Sequence, residues 1–215
     1  LEEMELDLSR GKEGFMCTRF SNEPGQDADI TRKWITGEIQ PSDEENTWLL
    51  IEPIKPFPRL IIAGAGHVGR ALAHLASLLD FEITMVDDRE IYACRNNVPD
   101  ADHFIVKESG PAMTEMEIDP NTYIVIVTRD HKNDAEALKA CMGSKAAYVG
   151  MIGSKKKVAT IKERFLDSGF ATEEDWAKIH TPIGIPVASV TVQEIAISIA
   201  AELVLERAKI NNNGT

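Results

Sequence analysis

From residue 58 onward the chain alternates short apolar runs with stretches whose apolar positions recur every three or four residues. Leu60-Ile-Ile-Ala63 is apolar throughout, the mark of a strand buried on both faces. Val68, Leu72, Leu75 and Leu79 follow at helical spacing, so the next element is a helix with one apolar face. Glu82-Ile-Thr-Met-Val86 predicts a second strand, Asp102–Val106 a third, Thr122–Thr128 a fourth and Ala146–Gly153 a fifth. A helix capped by Asn133 or Asp134 is predicted to close near Gly143, and another to run from Ser154 to about Gly169. Thr172-x-x-Asp175 and Thr191-x-x-Glu194 have capping-box spacing. The first opens a short acidic helix, the second a last helix with Ile195, Ile199 and Leu203 on one face. Strands and helices in alternation give an α/β fold, a Rossmann-like doubly wound parallel sheet with the usual strand order 3-2-1-4-5.

The pattern before residue 58 is different. Gly14–Phe20 and Asn46–Ile51 read as strands, separated by a polar stretch holding Pro24, Gly25, Pro41 and Asp43-Glu-Glu45. Too few apolar residues are present for an independent core, so this is read as a small N-terminal β appendage that packs on the main domain or a partner chain. Pro53, Pro56 and Pro58 predict a stiff extended linker. The expected division is residues 1–55, a nucleotide- or cofactor-binding domain over 56–210, and a frayed tail over 211–215.

Charge narrows the function. A formal net charge of −12 over 215 residues argues against nucleic acid, whose phosphates demand a basic face. No apolar run reaches membrane-spanning length and no signal-peptide succession is present. Cys17, Cys94 and Cys141 are far apart, which suits a reducing cytoplasm and gives no metal-site signature. A first residue Leu1 rather than methionine marks a fragment or an unseen start.

The candidate chemistry gathers at strand ends. Gly64, Gly66 and Gly69 have the spacing G-x-G-x-x-G between a strand and a helix, the form of a phosphate-binding corner that takes in His67 and Val68; the His67 imidazole touches a ligand phosphate or is one of many residue types tolerated there. Asp87 and Asp88 stand about 20 residues on, where an acid meets a ribose hydroxyl; equally, the acid pairs with Arg89 or caps a helix. Asp130 and His131 form a possible proton relay, or Asp130 caps the next helix and His131 is merely exposed. Gly150, Gly153, Ser154 and Lys155 open a second glycine-bearing turn. Its lysines, Lys155 to Lys157, either favour a bound anion or are solvated. The expected topology brings these three loops to one crevice. His180-Thr-Pro-Ile-Gly184 folds over that crevice or is an ordinary connection.

Pro58–Leu72, Val86–Arg89, Thr128–Lys132, Ala147–Ser154, His180–Gly184 and Glu194–Ser198, in this order, resemble the signature blocks of the XdhC/CoxI proteins. These are accessory factors for xanthine dehydrogenase and related molybdenum hydroxylases. The resemblance covers about residues 53–208. It implies a Rossmann-type domain that binds the molybdenum cofactor, a hydroxylase partner, a cysteine desulfurase that supplies sulfur, and a homodimer. It departs from the family at residues 1–52, which are too short for the longer amino-terminal domain and its glycine- and cysteine-containing motif. The resemblance leaves molybdenum cofactor and NAD(P) both open as ligands. An NAD-dependent oxidoreductase using His131, and a nucleotide-sensing assembly module, are the alternatives.

Overall fold

The computed structural model describes residues 2–9, 11–21, 29–39 and 47–213. Pro24, Gly25, Pro41, the acidic Asp43–Glu45, Asn46, and the terminal residues Leu1, Gly214 and Thr215 lie outside the described residues. The chain forms two compact units, Leu1–Phe57 and Pro58–Thr215.

The first unit holds helix α1 (Glu2–Ser9) and strands β1 (Gly14–Ser21), β2 (Asp29–Ile35) and β3 (Thr47–Ile54), antiparallel in the order β2-β1-β3. The β2 strand is absent from the sequence expectation because Asp29 to Lys33 are all exposed and only Trp34 is buried. Trp34 lies over Gly14, where a Cβ would meet the indole at 2.5 Å. The indole N–H donates to Asp7 at 3.1 Å, and Lys12 supplies that carboxylate's counter-charge at 2.9 Å. Pro53 falls inside β3 rather than in the linker, at a sheet edge where a missing N–H is tolerated.

The second unit is the doubly wound sheet. Its strands are β4 (Arg59–Ala63), β5 (Glu82–Asp87), β6 (His103–Val106), β7 (Thr122–Ile126) and β8 (Tyr148–Met151), all parallel. Their order, β6-β5-β4-β7-β8, is the expected 3-2-1-4-5. Alternation along β4 serves two cores. Leu60 and Ile62 pack under α2 (His67–Ser77) and α7 (Val192–Asn213), while Ile61 and Ala63 pack on the opposite face. That second face carries α3 (Ser109–Glu115), α4 (His131–Cys141), α5 (Lys155–Asp167) and α6 (Glu173–Ala177). The reversal of strand order between β4 and β7 opens the crevice at the carboxyl ends where such folds bind ligands.

Three local expectations need correction. The α4 helix starts at His131, capped by Asp130 rather than Asn133 or Asp134. Residues 211–213, expected to belong to the tail, are helical and continue α7. His180–Gly184 does not fold over the crevice. It runs along β8, with the His180 N–H donating to Val149 and the Met151 N–H to His180, and so covers a sheet edge. Glu202 of α7 fastens this segment, accepting from the Tyr148 hydroxyl and the Gly184 N–H, each at 2.6 Å.

Candidate functional site

The three glycines of the first corner do different work. Gly64 has φ +115°, and a Cβ there would lie 2.4 Å from the Val127 carbonyl oxygen. A Cβ on Gly69 would lie 1.9 Å from the Gly64 oxygen, so the third glycine permits α2 to press on the turn. Gly66 has open space around the same position, with nothing within 4 Å. It is the N-cap of α2; no side chain caps the helix there and its first turn holds no acid. Among the described residues, then, the first amides of α2 have no acceptor supplied by the protein. Partial positive charge and unpaired donors at a helix start select an anion. His67 is exposed beside them, whereas the Val68 side chain packs into the core and leaves only its amide.

The turn is held from both sides. Ala65 donates its N–H to Asp87 at 2.9 Å, and its carbonyl accepts from Asn97 Nδ2 at 3.0 Å. The Asp87 carboxylate is buried and also takes the Arg89 backbone N–H at 3.1 Å and the guanidinium at 2.8 and 2.9 Å. Burial pushes its pKa up, but the Arg89 side chain and the two amides outweigh burial and hold it below the ordinary value of 3.8. Arg89 in turn lies 3.8 Å over the Tyr92 ring. Both oxygens of Asp87 are therefore committed to the protein. The pairing with Arg89, one of the three sequence alternatives, is what forms. Asp88 is more exposed and reaches across the sheet end to Arg129 at 3.0 Å, which also lies 3.6 Å from Asp130. Between these side chains and Gly64 only about 20 Å³ is free, room for a water molecule.

After β7, Asp130 accepts the Lys132 and Asn133 amides, and these bonds keep its carboxyl below 3.8. His131 is exposed, with no described side chain orienting it. The pair is a helix cap rather than an assembled relay. Asp134 lies one turn further on and is fully buried. It accepts from the Thr128 N–H at 3.0 Å, the Thr128 hydroxyl at 2.6 Å and Lys157 Nζ at 2.5 Å. Burial dominates here and raises the Asp134 pKa despite Lys157.

The second glycine turn is self-contained. Gly150 lies within β8, where a Cβ would meet Ile183 and the Tyr148 hydroxyl at 2.5 Å. Gly153 has Val158 at 3.1 Å from the same position. Ser154 caps α5 through the Lys157 amide at 3.3 Å, and the Lys157 side chain is spent on Asp134. Lys155 and Lys156 are exposed.

The structure thus brings Gly64, Asp87, Asp88, Arg89 and Arg129 together, with Gly150, Gly153, Ser154 and Lys155 outside that hollow. Thr128, which opens one of the blocks named from sequence, and Asn133, read there as a helix cap, also line the hollow, as do Glu108 and Ser109 after β6, which the sequence reading did not single out. The strand-end rule points to the last two, since they follow the third strand directly. No local pattern marks Asn97, whose role depends on a contact made 32 residues away. Among the described residues no group of three His, Cys, Asp or Glu is placed to hold a metal ion. Burial pushes the Cys141 thiol up to about 12, which removes it as a nucleophile near neutral pH.

Comparison with known proteins places this geometry. The XdhC Rossmann domain matches residues 60–203. Among curated relatives, an uncharacterized protein of Escherichia coli, YqeB, is 33% identical over 162 residues, covering 73% of this chain and 28% of its own. A probable xanthine dehydrogenase subunit of Bacillus subtilis is 25% identical over 89% of this chain and 56% of its own. The molybdenum cofactor insertion chaperone PaoD of Escherichia coli is 26% identical over 69% of this chain and 40% of its own. The chain therefore spans between about a quarter and somewhat over half the length of these relatives. The crystal structure of a xanthine dehydrogenase from Bacillus halodurans superposes with a TM-score of 0.75 at 25% identity, over 97% of this chain and 63% of that one. By the extent of the family match, the chain belongs to the XdhC Rossmann domain family.

Proposed function

We propose that this chain is an accessory module in the maturation of xanthine dehydrogenase-type molybdenum enzymes, and that its glycine corner holds the phosphate of the cofactor being delivered. The observation that carries the reading is the start of α2, uncapped by any side chain and open at Gly66. A phosphate needs what this corner offers: unpaired amides, a helix N-terminus and no side chain in its path. The residues that would hold it are Gly66, His67, Val68 and Gly69 through their N–H groups. Asp87 and Asn97 keep the Ala65 peptide in place behind them. The cofactor would supply its own metal chemistry; the chain's part is to bind, orient and release. The names of PaoD and of the Bacillus subtilis relative support the maturation role.

The commitment of Asp87 to Arg89 and Ala65 favours a pterin phosphate over NAD, because the acid that would read an adenosine ribose is occupied. The exposed, unoriented His131 likewise argues against an oxidoreductase. A hydroxylase partner, a cysteine desulfurase, a homodimer and a cytoplasmic location belong to the same proposal. No described helix is long and apolar enough to cross a membrane. The test is reconstitution of an apo-hydroxylase with molybdenum cofactor, with and without the purified chain. The reading predicts faster recovery of activity and cofactor retained by the chain in gel filtration. Neither retention nor acceleration would remove it.

A further inference from the structure

A phosphate at the start of α2 leaves open where the rest of a ligand lies. The hollow beside Asp87, at about 20 Å³, has no room for a ring. On the other flank of the turn, the outer face of α2 floors a trough of about 670 Å³, the size of a small-molecule site. Ala71 and Leu75 make its floor apolar, and Ile197, 54% exposed on the first turns of α7, makes an apolar wall. Three side-chain amides, those of Asn96, Asn97 and Gln193, line its margins. Asn97 links the trough to the corner, since it is the residue that clasps the Ala65 carbonyl at 3.0 Å. Arg70 bounds the trough one helical turn from Gly66, about 6 Å along the axis. The remaining polar side chains, His74 and Asp100, lie within hydrogen-bonding distance of each other at 3.2 Å.

We propose that this trough receives the heterocyclic ring of a ligand whose diphosphate sits on the first turn of α2. Asn97 gives both Nδ2 hydrogens to the Ala65 and Tyr92 carbonyls and keeps only its oxygen, while the amides of Asn96 and Gln193 offer donors and acceptors together; this suits the mixed edge of a pterin or a nucleobase, and Leu75 and Ile197 offer apolar contact to its flat face. Arg70 adds a cation on the phosphate side. Only the position of the anion rests on the reading of the preceding subsection; the trough stands on its own volume and lining.

Titration calorimetry on the full chain tests this, with inorganic pyrophosphate, ADP and 6-hydroxymethylpterin pyrophosphate as probes. Ala71→Trp fills the floor from a half-buried position on α2, and Gln193→Leu removes one amide; circular dichroism checks that each folds. Ala71→Trp is expected to weaken the two ring-bearing probes by about tenfold or more, with pyrophosphate within about twofold. Gln193→Leu is expected to weaken the same two probes to a smaller extent. The tighter of the two in the unmodified chain identifies the ring as pterin or nucleobase. Ring-bearing probes that bind no better than pyrophosphate, or that ignore Ala71→Trp, overturn the trough and leave the anion corner standing. Loss confined to Ser109→Phe, which fills the hollow instead, also overturns it. Ring-bearing probes that respond to Ala71→Trp but not to Gly66→Val support the trough and remove the corner. If none of the three probes binds, both fall.

Discussion

Two strand-to-helix corners in this sheet look alike in sequence and differ in what the protein does with them. At β4–α2 the glycines at 64 and 69 are forced by backbone contact, and the helix start between them is left without a cap. At β8–α5 the glycines make room for the protein's own side chains, a serine caps the helix, and a lysine is drawn into a buried ion pair. The first corner has its framework satisfied and its helix amides free. At the second, Ser154 takes the Lys157 amide and Asp134 takes the Lys157 side chain, so the protein supplies the partners that a ligand would otherwise bring. A glycine-bearing turn signals a ligand when the chain leaves donors unused there, and it signals packing when the chain fills the space itself.

The contrast is broken most severely at the second corner. Lys157→Met strands the fully buried Asp134 carboxylate without a counter-charge, which should cost about 3–5 kcal/mol at neutral pH by urea denaturation. The cost should shrink as pH falls, because Asp134 then takes up a proton; a pH-independent loss would mean that the charge is not the cause. At the first corner Gly69→Val drives a side chain into the Gly64 carbonyl and should cost about 1–3 kcal/mol or more. Thermal unfolding reads this, and an unchanged midpoint would show that α2 does not press on the turn.

Ser154→Ala should cost about 0.5–1 kcal/mol, with no change in anion binding, since the second corner holds no ligand in this account. The two buried acids should titrate in opposite senses. Asp87 has a depressed pKa, so its stabilisation is complete above the unfolded value near 3.8 and is lost as pH falls through the folded value. Asp134 has a raised pKa and binds its proton more tightly in the folded state. Its ionisation therefore lowers stability as pH rises from 3.8 through the folded value. Asp134→Asn should remove that falling slope from a plot of stability against pH, and Asp87→Asn the acid-side loss.

Much of the second unit was legible because its strands are apolar on both faces and its helices keep one stripe. Leu60–Ala63, the spacing of Val68 to Leu79 and the capping boxes at Thr172 and Thr191 carry their structure locally; both reciprocal bonds form at Thr172–Asp175. The acid at the end of β5 was visible too, but its pairing with Arg89 stood beside a ribose contact and a helix cap as alternatives. What sequence could not give was decided by contacts between distant residues. Asp134 reads as a helix cap until Lys157 and Thr128 draw it into the core, and the cap passes to Asp130. The α3 helix hides behind Gly110 and Pro111, although a proline in the first turn costs no hydrogen bond. The β2 strand is exposed along most of its length, so it shows no apolar alternation.

Everything proposed for the first corner depends on an anion at the uncapped start of α2, and the decisive variant is Gly66→Val. A Cβ there meets nothing within 4 Å, so the variant should fold with only the modest loss of a poorer N-cap, about 1 kcal/mol, while its side chain stands in the phosphate's path. Calorimetric titration with inorganic pyrophosphate should show binding to the unmodified chain and at least about a tenfold loss in the variant. Equal affinity in a folded Gly66→Val protein would contradict the account.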